Sequence, residues 1–293
     1  MTAPPPAAEP SDEREQCMHD PGASVLLFGC GKVGVRLGEA LAASGRRVFA
    51  VRRRVEALPA SITGIALDYR RPFSTALPAV DAMVVTLTPD PAERESPDLT
   101  GPLHRLAAAL PVRPRRVVLV SSTGVFTGDP GTRALTEDDA PRPVNARSRA
   151  LLDSEAEARR LFDAVVVRPA GIYGPGREHL IRQVERGAAM DRERRTNRIH
   201  ETDLVRALHA LVLTPEPPRT LHAVDGHPAL LGEVADHIAR RLGVPAPEAS
   251  TAGLRGHVVS GERFASFMGT LAYPDYRSGY DEIIAGGDAA RWR

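Results

Sequence analysis

Lysine is almost absent from this chain: of 38 basic residues only Lys32 is a lysine, and the rest are arginine. A GC-rich coding sequence accounts for the bias, yet its chemical consequence stands. No other position can offer a Schiff-base or general-base amine. Cysteine is nearly as scarce. Cys17 and Cys30 are too few for a disulfide framework and are not spaced for zinc, which suits a reducing cytoplasm. The nine histidines show no HxxxH or HExxH spacing, so no metal site is expected. Net charge is only +1, which leaves no global electrostatic case for nucleic acid or an anionic membrane as partner. No apolar run approaches the ~20 residues that span a bilayer. The opening "MTAPPPAAEPSDEREQCMHDPG" lacks the apolar stretch of a signal peptide, and its Pro, Ala and Glu content reads as a disordered leader over residues 1–22.

What is present is ordinary for a soluble globular protein: 42% hydrophobic and 26% charged residues in a chain of 293. That length suffices for one large α/β domain with or without a smaller appendage. "SVLLFG" is a short apolar run ending in glycine, as a buried parallel strand should be. "VGVRLGEALAASG" has helical periodicity and stops at Gly45. "RRVFAV", "AVDAMVVTLTP", "RRVVLVSSTGVF" and "DAVVVRPAGIYGPG" read as further strands, with "LHRLAAALP" and "SRALLDSEAEARRLF" as helices between them. Alternation at about thirty residues per unit is the signature of βαβ crossovers on a doubly wound parallel sheet. Beyond Gly176 the pattern loosens into "TDLVRALHALVL", "RTLHAVDG" and "ALLGEVADHIARRLG", which suggests a smaller lobe. The expected division is a nucleotide-binding domain over 23–173 and a substrate lobe over 174–293, with 197–226 returning to the main sheet.

"GCGKVG" places Gly29, Gly31 and Gly34 in GxGxxG register between a strand and a helix, the context that gives the pattern meaning. The first glycine permits the turn, the second lets the backbone approach a pyrophosphate, and the third lets helix pack on strand. Where NAD binders carry an acid for the ribose hydroxyls, this chain has Arg52, Arg53 and Arg54. An arginine fork matches a 2′-phosphate, so NADP(H) is expected ahead of NAD(H), although a solvated basic strand end would look the same. Asp68 could accept from an adenine amino group or simply cap a turn.

Read in order, "GCGKVG", "LVSSTGVF", "VVVRPAGIYGPG" and "NRIHETDLVRAL" make the chain resemble the short-chain dehydrogenase/reductase superfamily, in its extended or atypical epimerase/dehydratase-like branch. The resemblance runs from Ser24 to the C-terminus. It implies a Rossmann-type domain with a small C-terminal substrate-binding lobe. It also implies a nicotinamide cofactor lying against Gly29, Gly31, Lys32, Val33, Gly34, Arg52 to Arg54, Asp68, Thr86, Leu87, Thr88, Ser121, Arg149 and Pro169. In that family a serine orients the substrate oxygen, a tyrosine transfers the proton, and a lysine four residues later holds the nicotinamide ribose. The serine matches Ser122. The tyrosine position falls on Asn145 and the lysine position on Arg149, within "NARSR". No other YxxxK exists, because the single lysine lies in the glycine loop.

Asparagine cannot transfer a proton, though its amide can bond a carbonyl, and arginine cannot act as a base near neutral pH. If both side chains follow one helical face, Asn145 should line the substrate pocket and Arg149 should touch the ribose. Tyr173 is the candidate replacement donor, and His200 a second, though both positions are commonly structural in the family. Glu137, Asp138 and Asp139 are expected to face water, and Arg177 could receive an anionic substrate. Three functions follow. The first is an NADP-dependent oxidoreductase acting on a small-molecule carbonyl, imine or alcohol. The second is a non-redox isomerase, dehydratase or cyclase that keeps its cofactor. The third is a silent NADP(H)-binding protein. A homodimer paired through the helix over 147–161 would follow family habit.

Overall fold

The computed structural model describes residues 22–88, 95, 97–128, 131–250 and 256–286; nearly all of the expected leader lies outside them. Seven strands form one sheet: β1 (Ser24–Phe28), β2 (Arg47–Arg52), β3 (Ile62–Ala66), β4 (Ala82–Val85), β5 (Arg116–Val120), β6 (Val165–Pro169) and β7 (Thr220–Ala223). Every pairing is parallel, in the order β7-β6-β5-β4-β1-β2-β3. All residues of β1, β4 and β6 are buried, because helices cover both faces and leave no polar side to the strand.

The helices are α1 (Lys32–Ala43), α2 (Thr100–Ala109), α3 (Ala146–Phe162), α4 (His179–Glu185), α5 (Glu201–Leu213), α6 (Leu231–Leu242), α7 (Glu262–Met268) and α8 (Tyr276–Gly286). One face of the sheet is covered by α1 and α5, through Leu37, Leu41, Leu204 and Leu208. The other is covered by α2 and α3, through Leu103, Leu106, Leu151 and Phe162. The helix α1 ends at Ala43, and the chain turns back at Gly45 with φ of +85°. A separate apolar cluster joins α4, α6 and α8 through Ile181, Val234, Ile238 and Ile283. Within the C-terminal segments α5, β7 and Phe264 of α7 all pack with the main sheet. Strand order reverses between β1 and β4, and a doubly wound sheet holds ligands in the crevice outside its strand ends at such a reversal. No helix among the described residues is long and apolar enough to cross a membrane.

Candidate functional site

Two cavities of the crevice are lined by described residues. The first, about 240 Å³, is lined by Gly29, Gly31, Arg52, Arg53, Arg54 and Thr88 among others, and by no carboxylate among the described residues. Gly29 leaves β1 with φ of +89°, and a Cβ there would overlap the Thr86 carbonyl. A Cβ on Gly31 would meet nothing within 4 Å, so the loop backbone faces open space. A Cβ on Gly34 would press on Cys30 Sγ at 3.1 Å, so the third glycine lets the first turn of α1 sit close on the loop that leaves β1. The helix α1 starts without a side-chain cap, so its first-turn N–H groups remain available to an anion. These features fit a dinucleotide: open backbone at the pyrophosphate position and three guanidinium groups at the second-strand end. Val33 and Leu87 are buried, so only their backbones can face such a ligand. Burial pushes the Cys30 thiol up to about 11, which leaves it inert.

Two other expected contacts are otherwise engaged. Asp68 accepts from the Arg70 N–H at 3.2 Å and is not among the lining residues, so it serves its turn. The Lys32 ammonium reaches across the crevice and donates to the Gly176 carbonyl at 2.7 Å.

The second cavity, about 400 Å³, opens beside the end of β5 and includes Ser122, Thr127, Arg194, Arg195, Asn197 and His257 in its wall. Ser122 Oγ caps the following 3-10 turn by accepting from the Gly124 N–H at 3.0 Å, which leaves its own O–H to donate. Ser121, by contrast, is turned into the protein and donates to Glu155 at 2.6 Å. Pro169 is buried in β6 and its carbonyl accepts from Thr123 Oγ1. The fully buried Glu155 also pairs with Arg168 at 2.7 Å, and Arg168 Nη1 lies 3.4 Å from His222 Nε2. Arginine only donates, so Nε2 accepts and His222 carries its proton on Nδ1. Burial, reinforced by the Arg168 charge, pushes that imidazole down to about 3.

The structure places "NARSR" differently from the helix-face expectation. Asn145 has φ −128° and ψ 165°, so it precedes α3 rather than lying on it. Its side chain accepts from the Ser148 N–H at 2.8 Å, and Ser148 Oγ returns to the Asn145 N–H at 3.2 Å, a closed capping box. Asn145 and Arg149 are both exposed, and neither lines the substrate-side cavity. Tyr173 is not brought there either. It is 3% exposed, stacks on Tyr280 at 4.8 Å, and donates to the Asp275 carbonyl at 3.2 Å. Burial raises its hydroxyl well above the ordinary tyrosine range.

His200 is buried as the N-cap of α5, with Nδ1 accepting from the Thr202 N–H. Arg177 is tied to Glu201 at 2.6 Å rather than left for a substrate. Glu137 does not face water: its carboxylate is 3% exposed and accepts from the His222 N–H at 2.8 Å on the free edge of β7. Asp138 is exposed as expected, and Asp139 caps the turn at Thr136. Sequence reasoning missed Arg194, Arg195, Asn197 and His257. The run "RERRTNR" was the one signal, and in an arginine-rich chain it does not stand out.

Residues 23–203 match the family model of the RmlD substrate binding domain. The chain belongs to that family. No curated protein matches the sequence. Among solved structures, a presumed NAD-dependent epimerase/dehydratase of Methylobacillus flagellatus is similar, at 27% identity and a TM-score of 0.76, over 90% of this chain and 98% of that one. The human epimerase family protein SDR39U1 (isoform 2), solved with NADPH, shares the fold at 21% identity and a TM-score of 0.73, over 89% and 99%. UDP-glucuronic acid 4-epimerase of Bacillus cereus, solved with NAD, does so at 15% and 0.72, over 92% and 100%. The neighbours are epimerase/dehydratase-like members of the short-chain dehydrogenase/reductase superfamily, and a nicotinamide cofactor goes with the family.

Proposed function

We propose that this protein is an NADP(H)-dependent oxidoreductase acting on a small-molecule carbonyl, imine or alcohol bound beside Ser122. The observation that carries the proposal is the pair of cavities. One sets an open glycine loop against Arg52, Arg53 and Arg54 with no carboxylate among the described residues, and the other opens on Ser122, whose hydroxyl hydrogen is left to donate. Arg52 to Arg54 would hold the 2′-phosphate, which an acidic residue at that strand end would repel. The first-turn N–H groups of α1 would hold the pyrophosphate. A bound nicotinamide supplies or accepts a hydride. Ser122 would donate its hydroxyl hydrogen to the substrate oxygen and fix its orientation.

A second function is favoured by one finding: among the described residues no tyrosine or carboxylate lines the cavity beside Ser122. A non-redox isomerase, dehydratase or cyclase that retains its cofactor would still move protons, through water or the substrate itself rather than through the family's tyrosine. Calorimetric titration with NADPH and NADH, on the parent and on Arg52→Ala and Arg53→Ala, tests the cofactor preference. We expect tighter NADPH binding, weakened by either substitution by about 1 to 3 kcal/mol; equal affinities in the parent would sink it. Mass spectrometry of the nucleotide that copurifies separates the two functions further. Recovery of unchanged cofactor after product has formed would favour the non-redox one.

A further inference from the structure

We propose that His257 is the acid–base residue of the cavity beside Ser122, exchanging a proton with the substrate oxygen that Ser122 orients. This rests on the proposed function, and it supplies the proton-transfer group that neither Asn145 nor Tyr173 brings to the cavity.

The polar wall leaves one group for the task. Thr127 and Thr196 spend their hydroxyl hydrogens on Ser148 Oγ at 2.9 Å and on the Ala229 carbonyl at 2.7 Å. Thr123 spends its own on the Pro169 carbonyl. Arg194 and Arg195 donate hydrogen bonds but cannot give up a proton near neutral pH, and Asn197 does not titrate. Ser122 can donate a hydrogen bond, yet a serine hydroxyl surrenders its proton only to a base beside it. Among the described lining residues the imidazole of His257 is the one side chain that can both take and give a proton in the neutral range.

The fold also holds that residue in place. Asn197 grips the backbone on both sides of Val258. Its Nδ2 donates to the His257 carbonyl at 2.9 Å, and its Oδ1 accepts from the Val259 N–H at 2.9 Å. Val258–Val259 pairs in parallel with Ala134–Leu135, which lies on the loop after the Ser122 turn. The His257 ring packs on Phe126, with centroids 6.1 Å apart, and Phe126 belongs to the 3-10 turn that Ser122 caps. The charged groups around it are Arg194 and Arg195 in the cavity wall, Arg168 and His222 on Phe126, and the Arg133–Asp139 pair beside Ala134.

In the oxidation of an alcohol, neutral His257 takes the hydroxyl proton as the neighbouring C–H bond breaks. The hydride, with both electrons of that bond, passes to the oxidised nicotinamide, and a carbonyl and an imidazolium remain. The imidazolium then releases its proton to water. In reduction the same steps run backward, and the imidazolium protonates the oxygen.

The test begins with full-length protein carrying carbon-13 in its histidine rings, titrated by NMR from pH 5 to pH 9 with NADP+ bound. His257→Gln identifies the His257 signal by its loss. That signal should titrate between about pH 5 and pH 8. Arg194→Gln or Arg195→Gln should raise its midpoint, because each removes a nearby positive charge. NADPH oxidation is then followed with phenylglyoxal, diacetyl and ethyl acetoacetate. His257→Gln should lower kcat by about a hundredfold or more and flatten its pH profile. Its NADPH affinity should be unchanged, which also shows that the variant is folded. Free imidazole should restore part of the rate to His257→Ala. A His257 ring that keeps one charge state across the titration, or a His257→Gln protein with the parental rate and profile, would overturn the inference. If NADPH binds and none of the three carbonyls is reduced, the proposed function is struck instead, and the titration alone decides whether His257 can exchange a proton there.

Discussion

Gly29 and Gly31 are two residues apart and answer to different physics. Gly29 is held at positive φ against a carbonyl, so Gly29→Ala should cost well over about 1 kcal/mol of stability, through strain and overlap. Gly31 has ordinary φ and open space, so Gly31→Val should cost the fold no more than about 1 kcal/mol as a poorer N-cap. The valine would nonetheless fill the space through which a pyrophosphate approaches. Thermal melts and NADPH titration of both variants should therefore separate them: Gly29→Ala loses stability, and Gly31→Val loses cofactor. A Gly31→Val protein with parental NADPH affinity would refute this account of the loop. Asn145 gives the third case. As a capping residue its replacement by alanine should cost about 1 kcal/mol by denaturant titration and leave NADPH affinity untouched. The turn at Gly29 and the start of α1 after Gly31 were legible from local spacing alone. The role of Asn145 was not, because a one-residue difference in where the helix starts decides whether its side chain follows the helix face or closes the cap.

At the scale of elements, β5, β6, α3 and β7 are joined by one buried polar chain: Ser121 to Glu155, Glu155 to Arg168, Arg168 to His222. It fixes the end of β5, one residue before Ser122. Removing one member leaves an uncompensated charge in a dry interior, so Glu155→Ala should destabilise by about 3 to 5 kcal/mol. The double variant Glu155→Leu with Arg168→Leu should recover part of that loss, measured by urea unfolding; a double variant no more stable than the single one would show that the pair contributes little beyond packing. The strands themselves could be read from apolar runs and the helices from their spacing, since both signals are local. Glu155 could not, because within "SEAEARR" it looks like any solvated charge, and only the arrival of β6 from later in the chain buries it. Arg194, Arg195 and His257 escaped for the same reason. They meet Ser122 by tertiary folding and share no stretch of sequence with it.

For the whole molecule, two buried groups just three residues apart set opposite limits on stability. His222, on β7, is held neutral down to about 3, against an ordinary imidazole value near 6.5. Between those values the unfolded chain binds a proton that the folded one refuses, so stability falls as pH drops through this window. Asp225 follows β7 where it meets the Tyr173 cluster, and its Oδ2 has no hydrogen-bond partner among the described residues. Burial pushes its carboxyl up to about 7 from an ordinary 3.8, against the opposing pull of the His227 N–H and the Arg198 charge. Between 3.8 and 7 the folded chain binds the extra proton, so this group's contribution to stability declines as pH rises. Each effect is on the order of a few kcal/mol at most, because a tenfold change in proton affinity is worth about 1.4 kcal/mol. Urea unfolding of the parent, Asp225→Asn and His222→Gln between pH 4 and pH 8 separates them. Asp225→Asn should gain on the parent steadily as pH rises toward 7, and His222→Gln should gain on it as pH falls below 6.5. If both variants keep the parent's pH slope, neither buried group governs the profile, and its shape belongs to the exposed ion pairs instead.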